Sequence, residues 1–115
     1  MYQFSYSEVQ TDSVADAKDR ERQVLTRSIE LLTAAREAGA GSPEAIDAIL
    51  FMNRVWTALL SDLGSPDNEL PKELRANLIS IGLWLLREGE AIRQGRSENF
   101  DGLIEISQII RDGLK

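Results

Sequence analysis

SPEAIDAILFMNRVWTALLSDLGSPDN, residues 42–68, decides the fold class, because it contains a helix start, a helix body and a helix stop in one run. Ser42 is a natural N-cap, Pro43 suits the first helical position, and Glu44 places an acid at the positive end of the helix dipole. Ile46, Ile49, Met52, Asn53, Trp56, Leu59, Leu60 and Leu63 then recur at spacings of three and four, which predicts one buried helical face. Gly64 and the turn-forming Ser65-Pro66-Asp67-Asn68 end the helix near Leu63.

Working outward, the same signals recur on both sides. A helix is expected from Ser13 as N-cap to about Ala38, with Ala17, Glu21, Val24, Leu25, Ser28, Leu31, Leu32 and Ala35 on one face and Gly39 and Gly41 as stops. Its alanine-rich stripe predicts looser packing than elsewhere. Pro71 opens a third helix reaching about Gln94. Ser97 or Asn99 caps a fourth, whose buried side is Phe100, Leu103, Ile104, Ile106, Ile110 and Leu114. Residues 1–12, with Tyr2, Phe4 and Tyr6 among polar neighbours, read as an extended arm. No segment alternates as a strand does. The expected architecture is all-α: a single-domain antiparallel bundle of about four helices over residues 13–115, preceded by the arm at 1–12. Short connections make neighbouring helices antiparallel.

Composition narrows the chemistry. The 115 residues carry a net charge of −6 and contain neither cysteine nor histidine. Disulfides, thiolate metal sites and cysteine or histidine catalysis are excluded. No glycine spacing suits a phosphate, and Asp67-Asn68-Glu69 lacks the alternating oxygen ligands of a calcium loop. No enzyme, cofactor, metal or small-molecule substrate is expected. The acidic balance argues against direct nucleic-acid binding. Met1-Tyr2-Gln3-Phe4 lacks the basic start and apolar core of a signal peptide, and Leu78 to Leu86 is too short to span a bilayer. The expected compartment is therefore the cytoplasm.

Two places carry more apolar surface than one bundle face requires. On the third helix, Leu74, Leu78, Ile81, Leu85 and Ile92 form a heptad-like seam. Ile79, Leu83 and Leu86 form a second face about 100° away, and Trp84 lies between the seam and the polar side. Either this helix is central and buried on nearly every side, or part of it floors a groove for a partner helix. On the second helix, Phe51 and Val55 lie more than about 100° from the main face. They mark either contact with two neighbours at once or an exposed binding strip. Phe51, Val55, Ile79, Leu83, Trp84 and Leu86 are the candidate partner-binding residues; no catalytic, cofactor or metal residue is assigned.

The stretch from Ser65 to Trp84, SPDNELPKELRANLISIGLW, resembles the signature segment of the FlaF family of flagellar biosynthesis regulators from alphaproteobacteria. The resemblance extends to Met1-Tyr2-Gln3, the charged first helix, Phe51 with Arg54 through Leu60, Gly102 to Ile106 and Ile110 to Leu114. It implies a cytoplasmic protein that binds flagellin as a secretion chaperone, promotes its production and export, and acts with the translational regulator FlbT. Two other readings compete with this one: a direct RNA-binding regulator of flagellin mRNA, and a structural adaptor that pairs as a homodimer through its apolar surplus.

Overall fold

The computed structural model describes the backbone of residues 6–114 and the side chains of residues 16–114. Four helices make up the described residues: α1 (Tyr6–Ala38), α2 (Pro43–Leu63), α3 (Lys72–Arg93) and α4 (Phe100–Asp112). The all-α class and the four-helix layout agree with the periodicity of the sequence. α2 starts as expected, with the Ser42 hydroxyl accepting from the Ala45 amide at 3.1 Å. Of the two candidate caps for α4, Asn99 takes the role, its side chain accepting from the Gly102 amide at 3.0 Å. Ser97 instead organises the preceding turn, donating to Glu88 and accepting from the Asn99 amide. Gly39 and Gly95 adopt the left-handed conformation (φ 103° and 77°) that ends α1 and reverses the chain after α3.

α1 begins at Tyr6 and not at Ser13, so residues 6–12 of the expected extended arm are helical. The stretch from Tyr6 to Ala38 contains no glycine or proline. A capping serine is only a preference, whereas each added helical residue gains a backbone hydrogen bond once a helix is nucleated. The remainder of the arm, residues 1–5, lies outside the described residues.

α1 also packs more tightly than its alanine content suggested. It lies against both α2 and α4 and buries Leu25, Ser28, Ile29, Leu32 and Ala35. Ser28 and Ala35 are both fully covered, so the alanine-rich stripe forms part of the core. α4 runs antiparallel to α1 and is tied to it at both ends. Arg36 Nη1 lies 2.7 Å from Asp101 Oδ1, and Arg22 Nε donates to the Leu114 carbonyl at 3.0 Å. The Asp101 hydrogen bond is the main cause raising the Arg36 pKa above its ordinary value.

Of the two readings of α3, the central helix buried on nearly every side is not what forms. α3 packs on α2 and touches α4 only lightly. α4, with 13 residues against 22 in α3, packs along α1 and leaves α3 with α2 as its one full neighbour. A helix with one full neighbour cannot bury two apolar faces. Leu74, Leu83 and Trp84 are accordingly exposed. The core instead gathers Ile29 and Leu32 of α1, Ile49, Met52 and Trp56 of α2, Leu85 and Ile92 of α3, and Phe100 and Leu103 of α4.

Candidate functional site: the open side of the α2–α3 hairpin

Two glycines one heptad apart set how α3 sits on α2. A Cβ placed on Gly82 would lie 2.7 Å from the Trp56 ring and 2.9 Å from Leu60, and one on Gly89 would lie 2.8 Å from Met52. All three distances are shorter than real Cβ contacts, most rigidly so at the Trp56 ring, and the Gly82–Gly89 line is therefore where the two helices touch. Buried Leu85 and Ile92 lie along one edge of this line.

At about 100° per residue, the line fixes the two flanks of each helix. Ile79, Leu83 and Leu86 fall on one flank of α3. Trp84 falls on the other, the flank shared with Ile81 and Glu88. On α2, Ile46 and Leu50 fall on the same side of the hairpin as Ile79, Leu83 and Leu86. Because α2 packs on α1 and α3, its opposite flank, which carries buried Ala48, faces α1.

The six candidate residues therefore do not form one surface. Ile79, Leu83 and Leu86 sit together: Leu83 is 39% exposed, Ile79 is half-buried, and Leu86 is half-buried against the core. Trp84 is exposed at 37% but points to the opposite flank. Val55 is half-buried against the core on the α1-facing flank of α2, and Phe51 is half-buried one turn before it. Contact of α2 with two neighbours accounts for Val55, and a charge introduced there would probe the core and not a binding strip.

Two residues complete the surface that the sequence reading did not assemble. Ile46, expected in the core, is 48% exposed, and Leu50 is 47% exposed. Leu50 carried a usable signal: like Phe51 it is a large apolar residue outside the main face. Ile46 did not, since its spacing matches the buried face and only the position of α3 shows that this edge is uncovered. Between these residues, the Asn53 Oδ1 is buried and has no hydrogen-bond partner among the described residues. The resulting surface is an aliphatic strip formed by Ile46, Leu50, Ile79, Leu83 and Leu86, lying along a helical hairpin. Its chemistry suits an apolar helical partner and supplies no nucleophile or proton-transfer pair.

One ion pair borders the strip. Arg93 Nε donates to Glu90 Oε2 at 2.9 Å, and that hydrogen bond is the main cause holding the Glu90 carboxyl below its usual range. Among the described residues, no helix is long and apolar enough to cross a membrane.

The family model for flagellar protein FlaF matches residues 2–114. No curated protein and no solved structure matches the chain.

Proposed function

The chain belongs to the FlaF family of flagellar proteins, and from that premise we propose that it is a non-catalytic, cytoplasmic chaperone that binds flagellin before export. In this reading it promotes flagellin production and secretion and acts together with the translational regulator FlbT. The observation that carries the reading is the aliphatic strip left open on the α2–α3 hairpin, with Ile46, Leu50 and Leu83 exposed. Flagellin subunits assemble through amphipathic helical ends, and such ends need their apolar faces covered until assembly. A helical hairpin with an uncovered apolar edge can cover one by accepting it as a further helix.

The test is co-expression of the chain with flagellin, followed by size-exclusion chromatography. A defined complex that survives dilution supports the reading. Separate elution of the two proteins at micromolar concentration, with both folded, rejects it.

A further inference from the structure

The charges on α2 and α3 are sorted between the two sides of the hairpin. The two helices contain five basic residues, Arg54, Lys72, Arg75, Arg87 and Arg93, and six acidic ones, Glu44, Asp47, Asp62, Glu73, Glu88 and Glu90. With the Gly82–Gly89 line as reference, all five basic residues fall on the half of the hairpin that carries the aliphatic strip. Of the acids, only Asp47 and Glu90 fall there; the other four lie on the opposite half. Glu90 is already held by Arg93, while Arg54, Lys72, Arg75 and Arg87 make no ion pair among the described residues. In a chain of net charge −6, the two helices thus place five basic and two acidic residues on this half, a local excess of three positive charges.

We infer that the open side of the α2–α3 hairpin selects an amphipathic helix whose apolar stripe is flanked by acidic residues. The inference rests on the chaperone reading for the site and adds the chemistry of what the site accepts. Ile46, Leu50, Ile79, Leu83 and Leu86 take the stripe, and Arg54, Lys72 and Arg87 meet the flanks, while Arg75 is half-buried and donates to the Asn68 carbonyl at 3.4 Å. A nucleic acid would use the same positive charge, but the strip is aliphatic and offers no aromatic ring on which bases could stack. Exposed aliphatic side chains between arginines fit a helix better than a phosphate backbone. Charge complementarity of this kind acts mainly on partner choice and on the association rate.

The experiment uses two synthetic peptides with the same leucine stripe at helical spacing, one flanked by glutamates and the other by lysines. Binding to the full chain is measured by calorimetry at low and at high salt. The glutamate-flanked peptide is expected to bind roughly tenfold tighter or more, since several exposed ion pairs each contribute a factor of about 1.5 to 5. The preference should shrink towards unity at about 1 M salt, where the screening length is only about 3 Å. The double variant Arg54→Glu with Arg87→Glu, checked for unchanged helicity, should lose the preference. Equal binding of both peptides, a preference for lysine, or no binding of either overturns the inference. So does tighter binding of a single-stranded RNA oligomer than of the glutamate-flanked peptide. If the double variant still forms the flagellin complex at full strength, the charge rule fails and the chaperone reading stands. If the glutamate preference is found but flagellin is not bound, the chaperone reading fails and the charge rule stands.

Discussion

Replacing Trp56 with alanine is expected to lower the unfolding free energy by about 3–5 kcal/mol, the usual cost of removing a large aromatic from a core. Trp56 is 1% exposed and belongs to the cluster shared by all four helices. Its ring also lies under the backbone of α3 at Gly82, so the cavity would open at the α2–α3 contact itself. Small domains have total stabilities of only about 5–15 kcal/mol, and such a loss would unfold much of the population on mild heating. Gly82→Ala is the complementary change. Alanine favours a helix interior over glycine by about 1 kcal/mol, but here the new methyl would lie 2.7 Å from the Trp56 ring. A net loss of stability is therefore expected, within the range of about 1–3 kcal/mol typical of overpacking. Urea unfolding followed by circular dichroism reads both variants. A Trp56→Ala loss below about 1 kcal/mol, or a stabilised Gly82→Ala, would mean that the two helices do not meet along the glycine line.

Joint substitution of Leu50→Asp and Leu83→Asp is expected to weaken flagellin binding by about a hundredfold or more while leaving the fold intact. Covering the exposed part of each leucine contributes roughly 1 kcal/mol, and an unpaired carboxylate in the apolar contact costs roughly 1–3 kcal/mol more at each site, so the two changes together correspond to roughly 10² or more in affinity. Both side chains are exposed in the chain alone, Leu50 at 47% and Leu83 at 39%. Exposed substitutions away from special features shift stability by about 0.5 kcal/mol or less. The matched control is Trp84→Asp, which alters an equally exposed residue on the other flank of α3 and is expected to leave binding unchanged. Titration calorimetry with purified flagellin separates the cases. Full-strength binding by the folded double variant would remove the strip from the binding surface.

The helices themselves were legible because their boundary residues act locally. Ser42-Pro43 started α2, Asn99 capped α4 and Gly95 followed α3, each by chemistry confined to one turn of chain. The buried face of α2 was legible for Ile49, Met52, Trp56 and Leu63, which point between two neighbours. Ile46 lies on the edge of the same face and is exposed, because periodicity shows how wide an apolar stripe is but not which neighbour covers its edge. The same limit applied to α3. Its two apolar faces were visible, but whether a helix covers the second depends on the side of the hairpin on which α1 and α4 pack. Gly82 and Gly89 have no phosphate-binding spacing, but their seven-residue separation on an apolar helix marks a line of close approach. Three of the four candidates on α3, Ile79, Leu83 and Leu86, thus share one flank of the hairpin, Trp84 lies on the other, and the α2 candidates came from the flank facing α1. The charge sorting becomes visible only once the contact line of the hairpin is known.

Hydrogen–deuterium exchange of the flagellin complex against the free chain tests the central claim most directly, because it reports which backbone a partner covers without any mutation. The account predicts slower exchange along α2 from about Ile46 to Thr57 and along α3 from about Ile79 to Glu90, with α4 unchanged. Protection confined to α1 and α4, with α2 and α3 exchanging as in the free chain, would contradict it.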